Sequence, residues 1–203
     1  MRRPWHATVL LVAALAGCHQ AHPEAHPAVK PCRPSSGSLP RTASAASLAG
    51  EYRLHLTTTS GGGAGRTAEG SLRLRPVGDS AAREIVVLGV RDTTSHAALS
   101  GTTDLDPAAV GATRTGSLVS EDPDAPGVLA IERRPPRADA GTEIMLRLGA
   151  DANRRGVVRY DGGYFALNVR AIEPDRFTGS WSSGSGVSSV EGYFCAERLA
   201  SKE

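Results

Sequence analysis

The chain predicts an all-β protein: an antiparallel up-and-down β-barrel of about eight to ten strands, with a two-sheet β-sandwich as the alternative. Three observations carry that expectation. From Leu48 to Glu197 apolar and polar residues alternate in runs of strand length. Turn-forming residues fall between the runs. Gly and Pro supply 23 and 13 of the 203 residues and interrupt every helix-length window, which excludes a coiled coil or a helical bundle.

Each run has its own reason. Leu48, Gly50, Tyr52, Leu54 and Leu56 share one face of the first, with Glu51, Arg53 and His55 on the other. Gly61-Gly62-Gly63-Ala64-Gly65 makes the first loop. Ala68, Gly70, Leu72 and Leu74 then oppose Glu69, Ser71, Arg73 and Arg75. The Val-rich stretch from Glu84 to Arg91 lacks alternation and reads as buried on both faces. Residues 92–127 read as loop with at most short strands. One helical turn is expected there, with Asp106 as N-cap, Pro107 at its first position and Gly111 past its end. Leu129 and Ile131 mark a short strand.

The second half is more regular. Thr142, Ile144, Leu146 and Leu148 alternate with Glu143, Met145 and Arg147. Tyr160-Asp161-Gly162-Gly163-Tyr164 is a hairpin signal. Phe165, Leu167, Val169 and Ala171 follow, then a turn at Glu173-Pro174-Asp175, then Phe177, Gly179 and Trp181 on one face. Ser182 to Ser189 reads as a hairpin loop. Val190, Gly192, Phe194 and Ala196 face inward, and Glu191, Tyr193, Cys195 and Glu197 outward. Closing these strands into a ring hides every apolar face and removes aggregation-prone edges.

The start of the chain has a different character. Arg2 and Arg3 precede ten apolar residues, Ala7 to Ala16. Spanning a bilayer takes about 20 such residues, so residues 1–17 read as a signal peptide. Leu15-Ala16-Gly17-Cys18 resembles the lipobox of bacterial lipoprotein signal peptides. That resemblance implies cleavage before Cys18 and acyl chains on its sulfur, with the membrane as partner. It also implies a cell-envelope address, leaning to the outer membrane, where the organism has one, because His19 and not Asp follows Cys18.

Residues 18–47 are rich in Pro, Ala and Ser and read as a flexible tether, leaving 48–199 as the barrel domain. His19, His22 and His26 are weak metal-ligand candidates. Pro23 and Pro27 prevent a helix that would align them, so a solvated spacer is preferred and neither a metal nor a cofactor is expected. With Cys18 acylated, Cys32 and Cys195 remain as an even pair in an oxidising compartment, and a disulfide is expected. The formal charge of +2 comes from Arg2 and Arg3, so a mature chain is neutral and no nucleic-acid partner is expected.

A second resemblance concerns the body. Gly50-Glu51-Tyr52 and the distal Arg198 are similar to the lipocalin pattern, in which a Gly-x-Trp on the first strand packs beneath an Arg from the end of the barrel. Tyr52 stands in the place of Trp, the T-D-Y loop motif is absent, and the one Gly-x-Trp is Gly179-Ser180-Trp181. The resemblance implies lipocalin-like architecture.

The sequence contains no G-x-S-x-G elbow, H-E-x-x-H, Walker loop or dinucleotide fingerprint, and outside leader and tether only His55 and His96 remain. The reading is therefore not an enzyme. Aromatic residues concentrate between Tyr160 and Phe194. The leading expectation is a lipid-anchored barrel that binds a small apolar or amphipathic ligand in an interior lined by Tyr52, Leu54, Phe165, Phe177, Trp181 and Phe194. The alternative is a non-catalytic structural or interaction module of the envelope, with the same rings filling a solid core.

Overall fold

A computed structural model describes residues 31–77, 84–87, 90–112, 127–149, 157–158, 163–185 and 188–200. Among the described residues eleven strands run in chain order: β1 Gly50–Ser60, β2 Thr67–Pro76, β3 Glu84–Val87, β4 Val90–Arg91, β5 Ser95–Thr103, β6 Val128–Arg133, β7 Glu143–Leu148, β8 Val157–Val158, β9 Gly163–Ile172, β10 Arg176–Ser185 and β11 Ser188–Arg198. Eight of them close an antiparallel barrel in the order β1-β11-β10-β9-β7-β6-β5-β2. Each barrel strand lies beside its neighbours in sequence, so the topology is up-and-down. The seam between first and last strands runs from Tyr52 opposite Arg198 to Ser60 opposite Glu191, with a register shift after Thr58. Among the described residues there is no α-helix, only the 3₁₀ turns Ala45–Leu48 and Pro107–Val110.

Alternation sets this fold. Tyr52, Leu54 and Leu56 of β1 are buried together with Leu72 and Leu74 of β2, Ile144, Leu146 and Leu148 of β7, and Phe194 and Ala196 of β11. Intervening residues such as Glu51, Arg53 and Arg73 stay outside. At about 25 cal/mol per Å² of apolar surface removed from water, this shared interior is the main stabilising term.

Two expectations, the loop over 92–127 and the loop over Ser182–Ser189, require correction, and two other readings gain detail. The stretch expected to be loop between 92 and 127 contains β5, a nine-residue barrel strand. Its residues are mostly small or polar, and a bulge between Ala97 and Leu99 breaks the alternation that would have revealed it. The Val-rich run lies outside the barrel. It forms β3 and β4, which join β8 in a separate sheet ordered β4-β3-β8. In β6 the inward residues are Val128, Ala130 and Glu132, while Leu129 and Ile131 face out and bury with Ala97 and Met145 packed against them. The Ser182–Ser189 loop is mostly strand, since β10 and β11 stay paired as far as Ser185 opposite Ser188.

The residues before β1 also differ from a simple spacer. Leu39 bridges to Thr142 at the start of β7 and is buried, and Ala45 and Leu48 enter the main core. Single apolar residues spaced this widely give no strand or helix period, so composition alone reads them as linker.

Candidate functional site

The six residues expected to line a cavity share one core inside the barrel, and each of the five rings among them contacts another ring. Tyr52 meets Phe177 edge to face at 4.9 Å between ring centroids, and Phe177 meets Phe194 at 5.9 Å. Phe165 and Trp181 make a second edge-to-face pair at 5.6 Å. Leu54 and all five rings are fully or almost fully buried. Each such ring pair adds about 0.5–1.5 kcal/mol beyond area burial. Two glycines make the space. A Cβ on Gly192 would stand 2.6 Å from Trp181 Nε1, and one on Gly179 would stand 2.8 Å from Phe194 Cε1. Through the gap at Gly192 the Trp181 indole N–H donates to the Thr57 carbonyl oxygen at 3.1 Å, so its polar atom is satisfied.

One end of the barrel is closed by the segment leading into β1. Arg198, on the last residue of β11, donates to the carbonyl oxygens of Ala49 at 2.9 Å and Ser47 at 3.2 Å, and to the Tyr52 hydroxyl. Its guanidinium carbon lies 4.9 Å from the Tyr52 ring centroid, a cation–π contact. Burial pushes the Tyr52 phenol up, and the Arg198 charge partly opposes it. Gly50 is required here: its φ is +147°, and a Cβ would collide with Arg198 Nη1. The Gly-x-Tyr and Arg pair singled out in the sequence is thus one contact.

Glu132 is the residue that sequence reading missed. It projects inward from β6 and is 1% exposed. Its carboxylate accepts from Ala45 N–H at 2.8 Å, Ser44 Oγ at 3.1 Å and Arg134 Nε at 2.9 Å. Burial would push the Glu132 carboxyl up, yet these donors together with nearby His96 outweigh it and hold it below the ordinary value. The carboxylate thereby satisfies the start of the Ala45–Leu48 turn, which Ser44 also caps from its own side chain. A signal existed: strand parity puts an acid beside Ala130 on the inward face.

At the other end the Pro107–Val110 turn packs against β1 and β2. Asp106 caps this turn by accepting from Ala108 N–H at 3.1 Å, and Gly111 ends it with φ +73°. Thr58 Oγ donates to the Val110 carbonyl oxygen at 3.0 Å, and Leu105 and Val110 sink into the core.

Cys32 and Cys195 are bonded to one another, with Cα atoms 5.7 Å apart across 163 residues of sequence. Cys195 is buried on the outward side of β11, beneath the incoming segment. This finding corrects the expectation of the membrane as partner and of an outer-membrane address. Both cysteines of the described region are spent on each other and carry no acyl chain, while Cys18 lies outside the described residues. A disulfide-closed barrel speaks for an oxidising compartment beyond the cytosol, not for membrane attachment through a cysteine. His19, His22, His26 and the 1–17 leader also lie outside the described residues.

Among the described residues no group of three or more His, Cys, Asp or Glu is arranged to hold a metal ion. His55 sits on the outer wall with Nδ1 3.3 Å from Glu69 Oε1, and His96 is exposed. Asp92 is held at a pKa of about 2 by donation from Ser95 and Thr94 within its own turn.

No family model and no curated protein matches the sequence. Among solved structures, EF1p2_mFAP2b bound to DFHBI is similar at 8% identity and a TM-score of 0.36, over 75% of this chain and 94% of that one. The ring of eight antiparallel strands, with Arg198 laid over Tyr52 at its closed end, is a barrel resembling lipocalin-type folds.

Proposed function

We propose that this protein is a non-catalytic structural or interaction module of an oxidising, extracytoplasmic compartment, working through its outer wall and rim. One observation carries the reading. The rings that a hollow barrel would offer to a ligand contact each other, from Tyr52 through Phe177 to Phe194 and from Phe165 to Trp181. A cavity lined by aromatic groups needs faces free for its ligand. Here each of the five rings is paired edge to face with another and buried in a core shared with leucines.

Titration with a fatty acid and with an apolar fluorescent dye tests this. The wild-type barrel is expected to show no saturable binding of either. Phe194→Ala, which removes a fully buried ring, is expected to gain binding of a benzene-sized probe. Stoichiometric, displaceable binding to the wild type would restore the ligand-carrier reading.

A further inference from the structure

We propose that Cys32–Leu48 is a redox-latched stopper: a strap tied across the rim by the Cys32–Cys195 bond, whose release uncovers the Tyr52 end of the barrel. This goes beyond the reading above, because it assigns a conditional surface to a barrel otherwise shut.

The path of the strap makes the case. It starts on β11 at Cys195. Gly37 then passes close to the Arg170 carbonyl of β9, and Leu39 bridges Thr142 beside β7. Ser44 and Ala45 bind Glu132 of β6. The chain next crosses the mouth as the Ala45–Leu48 turn and enters β1, the strand that pairs with β11. The strap therefore leaves the seam, follows half the rim and returns across the opening to the seam. With the disulfide intact, both of its ends are covalently fixed to adjacent strands, and it cannot swing away.

The two halves of the strap are held differently. From Arg33 to Ser38 most residues are exposed. From Leu39 onward the grip is dense: Arg41 Nη1 donates to the Arg137 carbonyl at 2.7 Å, and Thr142 Oγ donates to the Arg41 carbonyl at 3.2 Å. The disulfide is the outer latch and the Glu132 carboxylate the inner one. Cys32 is the more exposed of the two sulfur-bearing residues, half-buried where Cys195 is 1% exposed. A dithiol reductant attacks the Cys32 sulfur, and the Cys32–Cys195 bond breaks with Cys195 leaving as thiolate. The reductant's second thiol then closes on its first sulfur and releases Cys32. Two electrons pass to the protein, the reductant becomes a cyclic disulfide, and its two protons end on the two cysteine sulfurs.

Limited trypsin digestion reads the latch. Lys30 and Arg33 are each followed by proline, which leaves the bond after Arg41 as the strap's own cleavage site. The experiment follows cleavage after Arg41 by mass in oxidised protein, in protein reduced with dithiothreitol, and in Cys32→Ser. Near-ultraviolet dichroism of the buried rings reports the barrel in parallel. Expected is an acceleration of about ten-fold or more on reduction and in Cys32→Ser, with the ring signal retained. Glu132→Gln in oxidised protein is expected to accelerate cleavage less, and Glu132→Gln reduced to exceed either alone. An unchanged rate overturns the proposal, and so does loss of the ring signal on reduction, which would make the bond a staple of the whole fold.

Discussion

The two ends of the barrel each carry a turn of the same kind and length, yet different groups hold them. Pro107–Val110 is capped within its own stretch of chain, by Asp106 in front and Gly111 behind. Ala45–Leu48 depends on residues far away in sequence: Glu132, Arg134 and Arg198. The first turn is capped locally, and its distant bond, from the Thr58 hydroxyl to the Val110 carbonyl, joins uncharged groups. The second brings buried charge to a main-chain terminus, and hydrogen bonds to charged groups are worth about 1.5–3 kcal/mol each. A turn that arrives before the barrel in the chain can thus be secured only after the barrel has formed.

That contrast can be broken in graded steps. Phe177→Ala removes the ring that joins Tyr52 to Phe194 and should cost about 3–5 kcal/mol in denaturant unfolding. Hydrogen exchange should then rise at the Tyr52 end before it rises around Pro107. Glu132→Ala should cost about 3 kcal/mol, because the Ala45 N–H and Ser44 hydroxyl lose their acceptor. The same residue sets a pH dependence. Its carboxyl is held below the ordinary value in the folded protein, so it adds stability above the unfolded carboxylate pKa of about 4.3, and that stability is lost as pH falls through the folded value. Acid unfolding curves should therefore flatten between pH 5 and the folded pKa in Glu132→Gln, with Arg134 and His96 as the charged groups nearby, roughly as linkage requires. Gly50→Ala should cost about 2 kcal/mol, from backbone strain and the displaced Arg198. Arg198→Ala in the same background should recover only the part due to collision. Asp106→Ala should cost about 1 kcal/mol, as a lost cap on an exposed turn does, and should leave exchange at the Ala45 end unaltered.

The same contrast explains what the sequence displays. The Asp106-Pro107 turn is written in adjacent letters, so its cap, first position and terminating glycine are all visible. The inward faces of β1, β2, β7 and β11 are equally plain, because period-two alternation is local. The Gly50, Tyr52 and Arg198 contact was visible only through a family pattern, since no local rule joins residues so far apart. β5 was hidden because Ser, Thr, Gly and Ala are poor markers of strand, and a bulge removes its parity. The strap was hidden for a different reason. Its contacts, from Cys32, Gly37, Leu39 and Ser44–Ala45, fall one at a time on four different strands, and such docking has no period. The rings were identified as one group, but whether they enclose space or fill it depends on distances of an ångström or two, which spacing along a chain does not encode.

The bond from the Trp181 indole to the Thr57 carbonyl leads further. Trp181 belongs to β10 and Thr57 to β1, so the indole reaches behind β11, past the missing side chain of Gly192, to grip the strand beyond. It acts as a spoke inside the hoop. Sliding β11 by one residue would push a side chain into that spoke, so the join between the earliest and the latest strand is pinned against slippage from within, whatever happens to the ladder outside.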